Sequence, residues 1–199
     1  MIVVTGGIGA GKSTVLKLLG EMGAVCADAD EISREICRKG TPALAEIARH
    51  FGSDVLTDDG ELNRPALARL VFSNPDELAW LNALLHPMIL AELERLDRQA
   101  APQPLFAAIP LWHEAKWRPA SGVKAVVAVW CTPEMQLERL RGRGWDDEEI
   151  RRRTATQISM DEKRRNADYV LETTGTIQEL REKCQGLLQL LQKEGDARK

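Results

Sequence analysis

The feature that most constrains this chain is a glycine-rich octapeptide near its start. Gly6-Gly7-Ile8-Gly9-Ala10-Gly11-Lys12-Ser13 matches the pattern G-x-x-x-x-G-K-[ST] at every defined position. The octapeptide follows Ile2-Val3-Val4, a β-branched run that predicts a buried strand, and precedes an apolar pattern at helical spacing. A strand, this loop and a helix in that order are typical of a phosphate-binding site. A glycine-rich turn that matched by chance would lack this setting, so we favour the phosphate-binding interpretation.

The octapeptide suits the phosphates of ATP because its glycines let successive backbone N–H groups point at phosphate oxygens. The N-terminus of the following helix adds its dipole. Lys12 is expected to reach the β- and γ-phosphates, and the Ser13 hydroxyl to coordinate Mg²⁺, which we predict as the cofactor with ATP as phosphoryl donor. The residues predicted to bind the ATP phosphates are Gly7, Ile8, Gly9, Ala10, Gly11, Lys12, Ser13 and Thr14.

A dinucleotide-binding loop is the nearest alternative to this interpretation. Its pattern, G-x-G-x-x-G, would begin at Gly7 and would require glycine at position 12, where the chain has Lys12. The Lys12-Ser13 pair therefore favours phosphate binding.

Two acidic residues follow the second predicted strand, at Asp28-Ala29-Asp30. Ligands of open α/β sheets bind beyond the carboxyl ends of the strands, so we expect both carboxylates near the γ-phosphate. One could accept a proton from an acceptor hydroxyl, and one could help to hold Mg²⁺ through water. Asp28 could equally be the N-cap of a helix, and the sequence leaves both roles open.

Arginines are concentrated in residues 139–165, which we predict to form a mobile helical lid. Most of them are expected on a solvated helix face. Phosphoryl transfer nevertheless requires cations on the transferring group. We select Arg139 and Arg143 as the catalytic cations, since residues four apart share a face if the helix continues between them.

Short apolar strands alternate with helices along the chain, which predicts an α/β fold with a five-stranded parallel sheet covered by helices on both faces. We predict one domain over residues 1–199. Its core comprises about 1–56, 102–138 and 166–199, a helical insert spans about 57–101, and the lid spans about 139–165.

Composition and charge exclude several other classes of protein. The formal net charge of −3 argues against a nucleic-acid partner, because such proteins are usually basic as a whole. The four cysteines form no C-x-x-C pair, and we expect free thiols in a reducing compartment. No apolar run approaches the ~20 residues that span a bilayer, and no signal peptide is evident. We therefore expect a cytoplasmic protein without a membrane partner, and we favour a monomer.

The octapeptide and the acidic pair resemble the dephospho-CoA kinase family of P-loop kinases, and the likeness extends in order over roughly residues 1–175. The matching elements are Thr5 to Val15, Asp59-Gly60 with Leu62 and Arg64, Leu85-His86-Pro87, Ile109-Pro110-Leu111 with Glu114, Gln136 with Arg139 and Arg143, and Gln157 with Lys163, Ala167 and Asp168.

The resemblance implies a P-loop NTPase fold and a kinase that phosphorylates the ribose 3′-hydroxyl of dephospho-CoA, the last step of coenzyme A synthesis. Lys12 and Asp30 would be catalytic, with Asp30 as the base. The resemblance further implies that Arg64, His86 and Glu114 face the acceptor, with Asp28 beside them, and that the helical insert at about 57–101 binds the acceptor. ATP and dephospho-CoA are then the expected partners.

Two other functions remain as alternatives. One is another small-molecule P-loop kinase, of the nucleoside monophosphate or gluconate type. The other is a nucleotide-dependent switch protein that binds without turnover. A GTPase should carry the guanine motif N-K-x-D, which the sequence lacks. A non-enzymatic nucleotide sensor would have no need for Asp30.

Overall fold

A computed structural model describes residues 1–115, 117, 119–120 and 122–197. In these ranges a single five-stranded sheet has the strand order β2-β3-β1-β4-β5. The strands are β1 (Ile2–Thr5), β2 (Cys26–Asp28), β3 (Phe106–Ala108), β4 (Ala125–Trp130) and β5 (Tyr169–Glu172). β1 runs parallel to β3 and β4, and β4 runs parallel to β5. The predicted five-stranded parallel sheet is confirmed.

Ten α-helices lie in the described ranges, with one 3-10 turn at Ser53–Val55. The helices are α1 (Lys12–Glu21), α2 (Ala29–Ile36), α3 (Pro42–Phe51), α4 (Arg64–Ser73), α5 (Pro75–Ala100), α6 (Trp112–Ala115), α7 (Pro133–Arg141), α8 (Asp147–Thr154), α9 (Met160–Arg165) and α10 (Ile177–Ala197).

The chain divides into two compact units. The first comprises Met1–Ala27 and Asp97–Lys199, and the second comprises Asp28–Leu96. The helical insert that we predicted at about 57–101 lies largely in the second unit, which also includes α2 and α3. α3 packs against the 3-10 turn.

The core of the first unit is the central sheet. Successive strand side chains point to opposite faces, and both Val3 and Val4 of β1 are fully buried, so both faces of β1 are covered. Ile2 and Val4 pack in one cluster with Val15 and Leu19 of α1 and with apolar residues of α10. α1 and α10 also contact each other.

The second unit has its own buried residues, among them Ile47 of α3, Val55 of the 3-10 turn and Leu93 of α5. A tight turn follows the 3-10 turn and is closed by an antiparallel bridge between Leu56 and Leu62. Asp58-Asp59-Gly60 lie in this turn, where residues of these types are favoured.

From Pro87 the sequence predicts two helices, one ending at Leu85 and one beginning at His86-Pro87. This prediction is wrong, because α5 is continuous through Pro87. Proline fixes φ near the helical value but removes one backbone hydrogen bond and crowds the carbonyl four residues earlier, so packing must hold this helix together. The buried residues Leu85, Ile89 and Leu93 recur every four positions, so a single apolar stripe continues across Pro87.

All four cysteines are free thiols, as the sequence predicts, and burial raises the pKa of Cys26 and Cys184 to about 11. In the described ranges, no helix combines the length and the apolarity that a membrane crossing requires.

Candidate active site

The glycine-rich loop connects β1 to α1, as the motif requires. Gly11 is the residue before α1 and adopts a left-handed conformation, with φ 100°. A Cβ at this position would approach the side chain of Thr173 to 3.2 Å, so a larger residue would be strained and crowded. The turn is closed by a hydrogen bond from the Ala10 N–H to the Gly7 carbonyl, 3.2 Å long.

Lys12 folds back over the start of the loop. Its Nζ donates to the carbonyl oxygens of Gly6, at 2.9 Å, and Gly7, at 3.0 Å. The ammonium group is therefore fixed beside the first residues of the loop, where a β- or γ-phosphate would meet it. The N-terminus of α1 lies at the other end of the same loop and supplies further N–H donors.

Ser13 is the first candidate for holding Mg²⁺. Its side chain is exposed in the first turn of α1, and its hydroxyl makes no hydrogen bond with any residue that the structure describes. This geometry fits the predicted metal role, because the hydroxyl oxygen is available to a cation brought in with the nucleotide. The described ranges contain no cluster of three or more His, Cys, Asp or Glu side chains suited to a metal ion.

Arg139 lies behind the loop. Its Nη1 donates to the carbonyl oxygens of Gly9 and Ala10, both at 3.3 Å, and to the Thr173 hydroxyl at 2.8 Å. Its Nη2 donates to the Thr173 carbonyl at 2.6 Å. Thr173 itself donates to the Ala10 carbonyl at 2.8 Å. Arg139 thus joins the loop to the end of β5 through backbone oxygens, and its role as a cation on the transferring phosphoryl group stays a prediction.

Arg143 lies beyond the end of α7. The helix ends at Arg141, and residues Gly142 and Gly144 follow, with a φ of 84° at Gly144. The expectation that Arg139 and Arg143 share one helix face is therefore wrong, because the helix does not continue between them. The Arg143 side chain is exposed and makes no ion pair within the described ranges.

Two glutamines hold the peptide groups on either side of Ile8. Gln136 of α7 donates from Nε2 to the Ile8 carbonyl at 2.7 Å. The Ile8 N–H donates to Oε1 of Gln157 at 3.2 Å. Neither glutamine was among the predicted site residues. Both glutamines belong to elements that resemble the family, without a role assigned to either. Gln136 also precedes Arg139 by three positions on α7, a spacing that could have indicated it.

Glu114 forms a partly buried ion pair. Lys163 Nζ lies 2.9 Å and 3.1 Å from the two Glu114 carboxylate oxygens and 2.6 Å from the Pro110 carbonyl. The Ile158 N–H donates to Glu114 at 3.0 Å. Burial alone would raise the pKa of Glu114, but the hydrogen bonds from Lys163 and from backbone N–H groups outweigh it and lower that pKa. Glu114 is thus engaged with the segment around α9, while its predicted contact with an acceptor stays a prediction.

A cavity of about 310 Å³ opens beside the loop. Its lining includes Gly7, Gln136, Gln157 and Met160. Met160 lies against Gly7, since a Cβ on Gly7 would come within 2.7 Å of the Met160 Cγ. The start of α9 therefore lies directly over the start of the loop.

The predicted acceptor residues of the second unit lie on α2, α4 and α5. Asp28 is the N-cap of α2, where its carboxylate accepts from the Asp30 N–H at 2.8 Å, so the capping role that the sequence left open is present. Asp30 is exposed in the first turn. Arg64 is exposed at the start of α4 and donates to the Arg34 carbonyl at 3.4 Å. His86 is half-buried in α5, and burial lowers its pKa.

Comparison with known proteins identifies the family. The dephospho-CoA kinase family profile matches residues 1–179. The dephospho-CoA kinase of Streptomyces avermitilis is 44% identical over 179 residues, which are 89% of this chain and 86% of the relative. The crystal structure of TT1252 from Thermus thermophilus has a TM-score of 0.80 at 36% identity and covers 96% of both chains.

A second solved structure carries the family's name. Dephospho-CoA kinase from Campylobacter jejuni matches with a TM-score of 0.69 at 26% identity, over 97% of each chain. The sequence matches and this structural match agree with the complete phosphate-binding loop after β1. The chain belongs to the dephospho-CoA kinase family.

Proposed function

We propose that this chain is the dephospho-CoA kinase that transfers the γ-phosphoryl group of ATP to the ribose 3′-hydroxyl of dephospho-CoA. The observation that carries the proposal is the β1–loop–α1 unit, in which Lys12 Nζ is fixed at Gly6 and Gly7, in a chain matched by the family profile over residues 1–179. In the reaction, a bond forms between the 3′-oxygen and the γ-phosphorus, the bond from that phosphorus to the β–γ bridging oxygen breaks, and ADP leaves.

The proposed roles of the loop residues follow from their chemistry. The backbone N–H groups of residues 7–14 hold the phosphates, and the Lys12 ammonium balances negative charge on the β- and γ-phosphates. The Ser13 hydroxyl would hold Mg²⁺, which supplies positive charge to the phosphate oxygens when it is bound.

The proposed acceptor side comprises Asp30, Asp28, Arg64, His86 and Glu114. Asp30 accepts the proton of the 3′-hydroxyl and orients its oxygen. Burial lowers the pKa of His86 and so favours the neutral ring, which carries one N–H donor and one acceptor nitrogen. Arg64 supplies a cation that suits an anionic phosphate of dephospho-CoA. Arg139 and Arg143 are the proposed cations of the lid side.

The setting that we propose is the cytoplasm, where ATP is available and the four thiols stay reduced. We propose a monomer that requires neither a membrane nor nucleic acid, which suits the net charge of −3.

The test is a coupled ADP-release assay with dephospho-CoA, a nucleoside monophosphate and gluconate as separate acceptors. We expect turnover with dephospho-CoA alone, and a product with a new 3′-phosphate by mass spectrometry and ³¹P NMR. Lys12→Ala should stay folded and lose at least about 10²-fold in kcat, because one preorganised cation is absent from the transferring group. Lys17→Ala, an exposed neighbour on α1, is the matched control and should keep full activity. Preference for another acceptor would overturn the proposal.

A further inference from the structure

We propose that Gln157 reads the γ-phosphate and thereby makes this site discriminate ATP from ADP. The inference rests on the proposed function, because it requires ATP at the glycine-rich loop. It begins from the contact of Gln157, which lies between α8 and α9, with the backbone of the loop at Ile8.

The hydrogen bond to Ile8 determines how the Gln157 carboxamide is turned. A backbone N–H can only donate, so the group facing Ile8 must be the carboxamide oxygen, Oε1, at 3.2 Å. The amide nitrogen, Nε2, therefore points away from Ile8 with two N–H donors. Nε2 makes no hydrogen bond with any residue in the described ranges, and Gln157 lines the 310 Å³ cavity together with Gly7. The side chain thus presents unused donors to space beside the loop.

The position of Lys12 shows which phosphate would lie near these donors. The ammonium group of a loop of this type serves the β- and γ-phosphates, whereas the loop N–H groups and the helix N-terminus hold the α- and β-phosphates. Here Lys12 Nζ is within 3.0 Å of the Gly6 and Gly7 carbonyls, at the residues that directly precede Ile8. The terminal phosphate beside Lys12 would therefore lie at the end of the loop that Gln157 contacts. With ADP bound, no phosphate would occupy that position.

The segment that carries Gln157 is also held by hydrogen bonds to residues outside the glycine-rich loop. The Ile158 N–H donates to Glu114, and the Glu114 carboxylate is itself held by Lys163, whose side chain is only 1% exposed. Lys163 and the Thr5 hydroxyl both donate to the Pro110 carbonyl, which joins this network to the end of β1. A side chain fixed in this way loses little conformational entropy when it binds a phosphate oxygen.

Neighbouring polar groups are already engaged. Arg139 bonds to Gly9, Ala10 and Thr173 behind the loop, and Asp161 accepts from the Trp130 indole N–H at 2.8 Å. The Gln136 amide nitrogen uses one of its two N–H groups on the Ile8 carbonyl, whereas neither N–H of Gln157 is used within the described ranges. Gln157 therefore offers both of its Nε2 donors for a contact that depends on the γ-phosphate.

The test measures dissociation constants of ADP and of the β,γ-imido analogue of ATP by calorimetry, in the same Mg²⁺ buffer. Gln157→Glu keeps an oxygen for the Ile8 N–H but removes the donors and adds a negative charge beside the γ-phosphate. We expect it to weaken binding of the analogue by about 10- to 100-fold, the range for a hydrogen bond to a charged group, and to change ADP binding less than about threefold. Gln157→Ala should weaken the analogue less than Gln157→Glu does, because it adds no charge.

A role limited to holding Ile8 predicts a different result for Gln157→Ala, which adds no charge. This variant would then weaken ADP and the analogue equally, and that result would overturn the inference. Wild-type affinity of Gln157→Glu for the analogue would overturn it as well, because the added charge should be felt beside the γ-phosphate. The matched control is Thr156→Ala, on the same segment, which should bind both nucleotides like the wild type. A wild-type chain that binds neither nucleotide would overturn the proposed function as well, whereas normal wild-type binding with an unchanged ratio in the variants overturns the inference alone.

Discussion

Asp28 and Asp30 lie two positions apart at the start of α2, and their local geometry predicts different consequences of substitution. The Asp28 carboxylate is the N-cap and accepts from the Asp30 N–H. An asparagine at position 28 keeps an acceptor oxygen for this N–H, because asparagine is as good an N-cap as aspartate. An asparagine at position 30 keeps the shape of the side chain but removes its charge and basicity.

The first prediction follows from that difference. Asp30→Asn should lower kcat by about 10²–10⁴-fold, the usual range for a lost general base, while KM for ATP changes little because the glycine-rich loop carries that binding. Asp28→Asn should cost less in kcat. Steady-state kinetics of both variants, with thermal denaturation to verify folding, make the comparison. A nearly inactive Asp28→Asn beside a nearly intact Asp30→Asn would contradict the assignment.

The second prediction concerns Arg64, which is exposed at the first position of α4. If it binds the acceptor, Arg64→Ala should raise KM for dephospho-CoA far more than KM for ATP, because the lost cation serves one substrate only. Arg69→Ala, further along the same helix and exposed, is the matched control. Equal increases in both KM values would argue against an acceptor-side role.

The parts of the site that the sequence predicts are those whose residues are contiguous in the chain. The loop of residues 6–13 needs only its own spacing and its neighbouring strand and helix to be recognised. Gln157 contacts Ile8 across 149 positions, and Arg139 contacts Thr173 across 34, so neither contact has a local pattern. The engagement of Glu114 with Lys163 likewise depends on how α6 and α9 pack, which no spacing shows.

At the scale of elements, side-chain caps mark several helix starts by residues that the sequence shows directly. Thr41, Thr132 and Asp146 each accept a hydrogen bond from a backbone N–H in the first turn of the helix that follows. Proline at the first helical position strengthens the signal at α3 and α7. Proline led to a wrong helix boundary at Pro87. Leu85, Ile89 and Leu93 are buried along one stripe that continues across Pro87, and the local preference of proline does not include such packing.

The ion pair between α6 and α9 gives the third prediction. Because the pKa of Glu114 is lowered in the folded state, its charge stabilises the fold above the ordinary value of 4.5, and this stabilisation is lost as the pH falls through the lowered pKa. The difference in unfolding free energy between the wild type and Glu114→Gln should therefore be constant from about pH 7 to 5 and shrink below about pH 4.5.

Urea denaturation at a series of pH values measures this difference. Lys163→Met should also destabilise the protein, by about 3 kcal/mol, because it leaves the partly buried Glu114 charge without its cation. A wild-type advantage over Glu114→Gln that persisted unchanged to pH 3 would contradict the lowered pKa of Glu114.

At the scale of the whole molecule, the first unit is assembled from two separate stretches of chain, residues 1–27 and 97–199. The alternation of strands and helices was enough to predict its parallel sheet, because buried parallel strands have nearly continuous apolar runs. The limits of the second unit were harder to predict. α2 and α3 carry helical patterns like those of any surface helix, and only packing assigns them to residues 28–96.

The last prediction joins nucleotide and acceptor binding through residues 145–165, the part of the predicted lid (about 139–165) that follows α7. α8 is exposed apart from a few residues such as the buried Ile150, and charged side chains dominate it, so it should open locally at low cost. The part from Gln157 onwards makes hydrogen bonds to the loop and to Glu114.

We therefore expect hydrogen exchange in α8 to be fast without ligands. It should slow at least about tenfold when the β,γ-imido ATP analogue and dephospho-CoA are both bound, because closure excludes water from the reacting groups. Either ligand alone should protect α8 less. The buried amides of β4 serve as the internal control, since the ligands should leave them unchanged. Exchange of α8 at the same rate in all four states would show that residues 145–165 do not act as a lid.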